Sequence, residues 1–225
     1  MTGPGFERPG RGDALTAVTT GVRPAYDLGP LPDHCLVRVV DEHVVHSAVA
    51  PIFDLARDVE GWPRHLGHYR YVRFRERCAD GGGLVEMSAN RPFGPVDWPT
   101  WWLSRMQVVA GDGPGASATS SIRFRHVEGV TAGMEVEWSF HPQPDTQTTL
   151  VRIVHLWDGP SWPLVGSIVA RAVVGPIFVH GIASRTLAGL AIVAEKYRGD
   201  ASAGGATGAA AQQGITVTPP SHSIE

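Results

Sequence analysis

Four side chains in this sequence belong to types that act on carbonyl oxygens or acidic C–H bonds: Arg91, Tyr69, Arg105 and His155. Each lies in a run whose alternation bears on where it points. Val85, Met87 and Ala89 share one face of a strand, and Arg91 falls on that face too. A guanidinium there stays charged and can hold a carbonyl or enolate oxygen. The alternative is a strand-end arginine whose head reaches water. Arg105 alternates with Trp101 and Leu103. It is a second carbonyl anchor if those residues face inward, and it turns out if Trp98, Trp102, Met106 and Val108 are the inward set. Tyr69 offers a phenolic proton. Strand parity opposes it, because Val72 and Phe74 read as inward and put Tyr69, Tyr71, Arg73, Arg75 and Arg77 on the other face. Tyr69 faces the interior only where it precedes the regular strand. His155 shares a face with Val151, Ile153 and Trp157. It reads as a satisfied core histidine or, beside a polar cavity, as a general base titrating near neutrality. His126, on one face with Ile122 and Phe124, is a weaker version of the same case, and Glu86, Glu135 and Glu137 read as solvent-facing.

The chain holds seven tryptophans. Most belong to a core, but a few around a cavity would suit a flat hydrophobic guest. The side chains expected to touch such a guest are Trp62, Met87, Trp98, Trp101, Trp102, Trp138, Phe178 and Ile182.

Other chemistries lack support. His43 and His46 are three apart on a strand and face opposite ways. His180 and Ser184 are four apart on a helix, but no third ligand or base accompanies them. No metal is therefore expected. The glycines at 111, 113 and 115 lack the strand–turn–helix setting of a nucleotide loop, and Gly159-Pro160-Ser161-Trp162-Pro163 is not a nucleophile elbow. No cofactor is expected. The two cysteines, Cys35 and Cys78, form no C-x-x-C pair, and a reduced cytoplasmic setting is the simpler reading. With a net charge of −3, nucleic acid is a poor partner. The stretch from Pro163 to Ile182 is the most apolar, but Arg171 and Pro176 interrupt it. It reads as a buried or membrane-touching helix rather than a span.

The elements that must position these residues follow from periodicity and turn chemistry. Residues 1–30 and 199–225 are Gly/Pro- and Ala/Gly/Ser-rich, bury too little apolar surface to fold, and are expected to be disordered tails around a domain at 31–198. Strands are expected at 36–46, 69–77, 84–91, 98–109, 118–127, 134–141 and 148–157. Two short helices follow the first strand, with Ser47 as a possible cap and Trp62 in the second. A short helix at 163–174 and a long one from 176 to about 197 close the chain, broken at Pro176. In the long helix Phe178, Ile182, Gly189 and Val193 form one stripe, widened by Val179, Leu190 and Tyr197. Consecutive antiparallel strands make a curved sheet that the last helix can cross, leaving a cavity between them.

The run from Val49 to Pro63, VAPIFDLARDVEGWP, resembles the opening signature of the START-like (SRPBCC) superfamily, with its D-x-x-x-W-P motif. The likeness extends over about residues 35–197 and implies an α+β helix-grip fold: a seven-stranded antiparallel sheet wrapped around a long C-terminal helix, with two short helices after strand one. Within that superfamily the chain is most similar to polyketide cyclase/dehydrase proteins, including aromatase/cyclases. Those enzymes fold a poly-β-ketone in the cavity and promote aldol closure and dehydration without a cofactor. The resemblance maps their inward Tyr and two Arg residues onto Tyr69, Arg91 (in Asn90-Arg91-Pro92) and Arg105. It implies a small hydrophobic ligand, a polyketide or a lipid, as partner. An acidic acyl-carrier protein could dock on the stripe Arg73, Arg75, Arg77, although such a run is usually a solvated sheet face. The competing reading is a carrier or sensor of a lipid or isoprenoid.

Overall fold

The structure, a computed structural model, describes residues 22–93, 96–111, 119–129, 131–144, 146–159 and 180–210. The expected helix at 163–174, residues 1–21 and 211–225 of the expected tails, and Phe178 lie outside the described residues. The elements are β1 (Val37–Val45), α1 (Val49–Arg57), a 3-10 turn (Val59–Gly61), α2 (Trp62–His65), β2 (Tyr69–Arg77), β3 (Gly83–Phe93), β4 (Val96–Val109), β5 (Ser120–Gly129), β6 (Glu135–Gln143), β7 (Thr148–Trp157) and α3 (His180–Ala210). All seven strands form one sheet in the order β1-β7-β6-β5-β4-β3-β2, each antiparallel to its neighbour. With α3 packed against β1 and β3, this is the helix-grip arrangement that the element order predicts.

Strand alternation decides what lies inside. Val85, Met87 and Ala89 of β3, Ile122 and Phe124 of β5, and Trp138 and Phe140 of β6 are buried on the inner face. α1 packs there through Phe53, whose ring meets Phe140 edge-on at 5.3 Å between centroids. Ala48 stands at the N-cap of α1 with no side-chain bond, so Ser47 is not the cap. Instead the Ser47 carbonyl accepts the buried Thr149 hydroxyl at 2.8 Å, tying the turn to β7.

The face that α3 presents is Ile182, Ala183, Thr186, Leu187, Leu190, Ala191 and Ala194, all buried. Ile182 and Leu190 of the expected stripe lie on this face, whereas Tyr197 is 55% exposed. The helix also continues through residues 199–210, a stretch expected to be tail. Alanine favours that extension, while its glycines oppose it. A Cβ at Gly189 would meet the tip of the Leu66 side chain, so α3 passes close to the end of α2 there.

The last residues of the expected N-terminal tail also pack. Leu28 is 2% exposed. Arg125 donates to its carbonyl at 2.6 Å, and Arg23 bridges Cys78. On this outer face Glu86 and Glu135 are buried rather than solvent-facing, because arginines cover them. Glu86 accepts from Arg73 and from the Tyr71 hydroxyl at 2.9 Å, and pairs with Arg75. Among the described residues no helix is long and apolar enough to cross a membrane.

The hydrogen bond from Arg73, with those from Tyr71 and Arg75, holds the Glu86 carboxyl down to about 2 against the opposing effect of burial. A carboxyl lowered on folding stabilises the native state above its unfolded value, near pH 4.5, and loses that contribution as pH falls through about 2. Urea titrations between those limits should therefore show the wild type losing stability more steeply than Glu86→Gln. Parallel acid curves would contradict this.

Candidate functional site

A cavity lies between the inner sheet face and the first turns of α3. Its aromatic wall comes from Trp62, Trp102, Phe124 and Trp138, with Met87 and Met134 beside them. Ile182, Ala183 and Thr186 form the helix side, and Tyr69, His126 and His155 add polar groups. About 60 Å³ is open to water-sized molecules. That is room for a few waters, whereas a drug-sized guest fills about 300–1,000 Å³.

The W-P motif builds one wall. Pro63 suits the first turn of α2, and Trp62 Nε1 donates to the Leu55 carbonyl at 3.1 Å. Its indole then meets Tyr69 at 5.2 Å and Trp138 at 5.7 Å between centroids. Glu60 anchors the preceding turn by accepting the Phe74 N–H at 2.8 Å and pairing with Arg77.

Tyr69 reaches the inside through an irregularity. In the β2–β3 ladder Tyr69 faces Ala89 and Tyr71 faces Ser88, so Arg70 is an extra residue with no counterpart. This bulge puts Tyr69 and Val72 on the same face, although they are three apart. Tyr69 is 7% exposed while Arg70 and Arg73 stay outside. Its neighbour His68 brings Nε2 to 3.0 Å from Thr186 Oγ1, and Thr186 donates to the Tyr69 hydroxyl at 3.4 Å. Burial, and after it the charge of Arg185, hold the His68 imidazole below its ordinary value.

His126 is fixed by a second device. The turn after β5 places Thr131 Oγ1 at 2.7 Å from His126 Nδ1, and both side chains are buried. The ring stacks on Trp102 at 5.9 Å, which in turn lies 6.4 Å from Tyr69. His155, between Val39 and Val136 in the ladder, is half-buried on the same inner face.

Two of the expected site residues lie elsewhere. Trp102, Ser104 and Met106 are the buried set of β4, so Trp101, Leu103 and Arg105 turn out. Trp101 is 47% exposed and borders an outer groove with Tyr71 and Leu103. The Arg105 guanidinium sits over the Tyr26 ring at 5.4 Å. The adjacent pair Trp101-Trp102 fits either parity, and only the pairing of Met87 with Trp102 fixes it. Arg91 pairs with Trp98 at the start of β4, and the side chains of both lie outside the described residues. Of the other expected residues, Trp62, Tyr69, Met87, Trp102, Trp138, His155 and Ile182 line the cavity. Among the described residues no group of three or more His, Cys, Asp or Glu could hold a metal. Sequence reasoning passed over His68 and Thr186. Thr186 is four residues from both Ile182 and Leu190, and that spacing alone would have placed it on the buried face.

Residues 45–174, more than half of the chain, match the family model described as polyketide cyclase/dehydrase and lipid transport. Among solved structures, a protein from Thermus thermophilus superposes with a TM-score of 0.55 at 19% identity, covering 71% of this chain and 98% of its own. The Zhui aromatase/cyclase from Streptomyces sp. R1128 gives 0.55 at 15% identity, covering 71% and 93%. A START superfamily protein from Mycobacterium smegmatis gives 0.52 at 15%, covering 72% and 99%. At these identities the likeness shows a shared fold. No curated protein matches the chain.

Trp102 keeps its place through a close approach of backbones. Gly129 opposite it has φ 97°, and a Cβ there would come within 2.8 Å of the Trp102 Cα. Gly129→Ala should cost at least about 1–2 kcal/mol from backbone conformation alone. Chemical unfolding measures this, and an unchanged midpoint would contradict it.

Proposed function

The chain belongs to the polyketide cyclase/dehydrase and lipid transport family, and we propose that it binds a hydrophobic, polyketide-type ligand in this cavity and promotes aldol cyclisation and dehydration. The observation that carries the reading is the convergence of one phenol and two imidazoles, Tyr69, His126 and His155, on an aromatic, apolar pocket. A wholly apolar guest needs no such trio of groups able to donate and accept protons.

Aldol closure needs a base near a C–H flanked by two carbonyls and a donor at the oxygen that gains charge. An imidazole suits the first task near neutral pH. Thr131 holds the His126 ring by Nδ1, so Nε2 is the nitrogen not used in that bond. The Tyr69 hydroxyl suits the second task, in surroundings that strengthen the interaction by excluding water. After the new C–C bond forms, the aldol hydroxyl leaves as water when a donor protonates it and a base removes the neighbouring hydrogen. The family resemblance assigns Arg91 to a carbonyl oxygen of the chain. Glu86 and Glu60 already neutralise much of the Arg73, Arg75, Arg77 stripe, which leaves docking of an acidic acyl-carrier protein with less support.

The competing function is carriage of a lipid or isoprenoid, favoured by the apolar majority of the lining. Turnover separates the two. With a synthetic poly-β-ketone thioester, Tyr69→Phe should lower the rate of ring closure by roughly 10²-fold and leave the circular dichroism spectrum unchanged. A folded variant with full turnover would contradict the proposal. A wild type that retains lipid in native mass spectrometry but does not speed ring closure would support the carrier.

A further inference from the structure

We propose that Thr186 and His68 are positioning residues that form a hydrogen-bonded relay returning protons to the Tyr69 hydroxyl from the outer edge of the cavity. The relay rests on the cyclase reading of the same site. It joins two segments far apart in sequence: His68 Nε2 lies 3.0 Å from Thr186 Oγ1, which donates to the Tyr69 oxygen at 3.4 Å. Thr186 is 1% exposed and Tyr69 7%, while His68 is only partly buried. The chain of polar atoms thus runs from inside the pocket towards water.

Hydrogen counting fixes its direction. A threonine hydroxyl has one hydrogen and two acceptor sites. If that hydrogen goes to Tyr69, His68 must supply its own at Nε2, so its neutral tautomer carries the proton there. The lowering of His68 by burial and by Arg185 is consistent with a neutral ring at pH 7. The Tyr69 oxygen then accepts from Thr186, so its own O–H is not the donor in that bond. Tyr69 lines the cavity. Hydrogen bonds in series polarise one another, so the accepted bond makes the phenol a better donor.

The step balances. The Tyr69 O–H bond breaks and its proton goes to the substrate's enolate or alkoxide oxygen. The phenolate oxygen takes the Thr186 hydrogen, and Thr186 takes the one on His68 Nε2. A solvent proton binds His68 Nδ1, leaving a neutral ring with the other nitrogen protonated. Rotation of the hydroxyl and proton exchange with water reset the relay.

A bond that only satisfied a buried threonine would give a different mutational pattern. Thr186→Val keeps the shape and removes the hydroxyl, and Thr186→Ser restores it. On the poly-β-ketone thioester, Thr186→Val should lower kcat by about tenfold with KM unchanged, and Thr186→Ser should recover most of the loss. Nitrogen NMR of labelled histidine should show the His68 proton on Nε2. In Thr186→Val the Tyr69 hydroxyl should exchange with solvent several-fold more slowly, and in Thr186→Ser at the native rate. A His68 proton on Nδ1, equal exchange in all three proteins, or full kcat in a folded Thr186→Val would each overturn the relay. If the wild type closes no ring, the cyclase reading fails, and the tautomer and exchange data still decide the relay.

Discussion

Each inner strand sends every second side chain to one face of the sheet, and that face is too apolar to stay in water. Covering it is the constraint from which the site follows. One wall is bulky, with Trp102, Phe124 and Trp138 from the sheet and Trp62 from α2, while on the side of α3 the small Ala183 and Thr186 stand beside Ile182. Large groups against small ones leave a gap rather than a seam. Farther along, Leu187 and Leu190 close the contact, each burial contributing about 1.5–3 kcal/mol. The helix is thus held tightly beyond the cavity and spaced from the sheet at it.

Local irregularities then decide which polar groups enter that gap. The bulge at Arg70 turns Tyr69 in. The tight turn after β5 delivers Thr131 to His126, and at Gly189 α3 passes close to Leu66. The first two set the positions of groups that line the cavity, and the third sets the approach of α3 to α2. The outer face is organised differently, by carboxylates buried under arginines, and those ion pairs hold β2 to β3 and β5 to β6.

Much of this was readable from residue types. The bounds of β2 and β7 agree with the turn signals, and the W-P motif placed Trp62 against the pocket. Parity arguments worked where one face was uniformly apolar, as in β3 and β5. In β4 they left two settings open, because Trp101 and Trp102 are equally good inward candidates, and pairing with β3 selects the one with Trp102 and Met106 inside. They failed at Tyr69, because an extra residue in a ladder leaves no mark in composition. On α3 the apolar residues Val193 and Tyr197 drew the stripe away from the small residues that face the sheet. Ala183, Ala191 and Ala194 carry little hydrophobic signal, and Thr186 carries none.

The account depends on a guest entering between sheet and helix, and the tryptophans provide their own control. Trp62, Trp102 and Trp138 face the cavity, while Trp101 stands on the opposite side of the sheet. The most direct measurement is proton–nitrogen NMR of the indole N–H groups during titration with a tricyclic aromatic ketone, anthrone. Saturable shifts at Trp62, Trp102 and Trp138 with Trp101 unmoved are the predicted result. Shifts confined to Trp101, or none at any indole, would contradict an internal binding site.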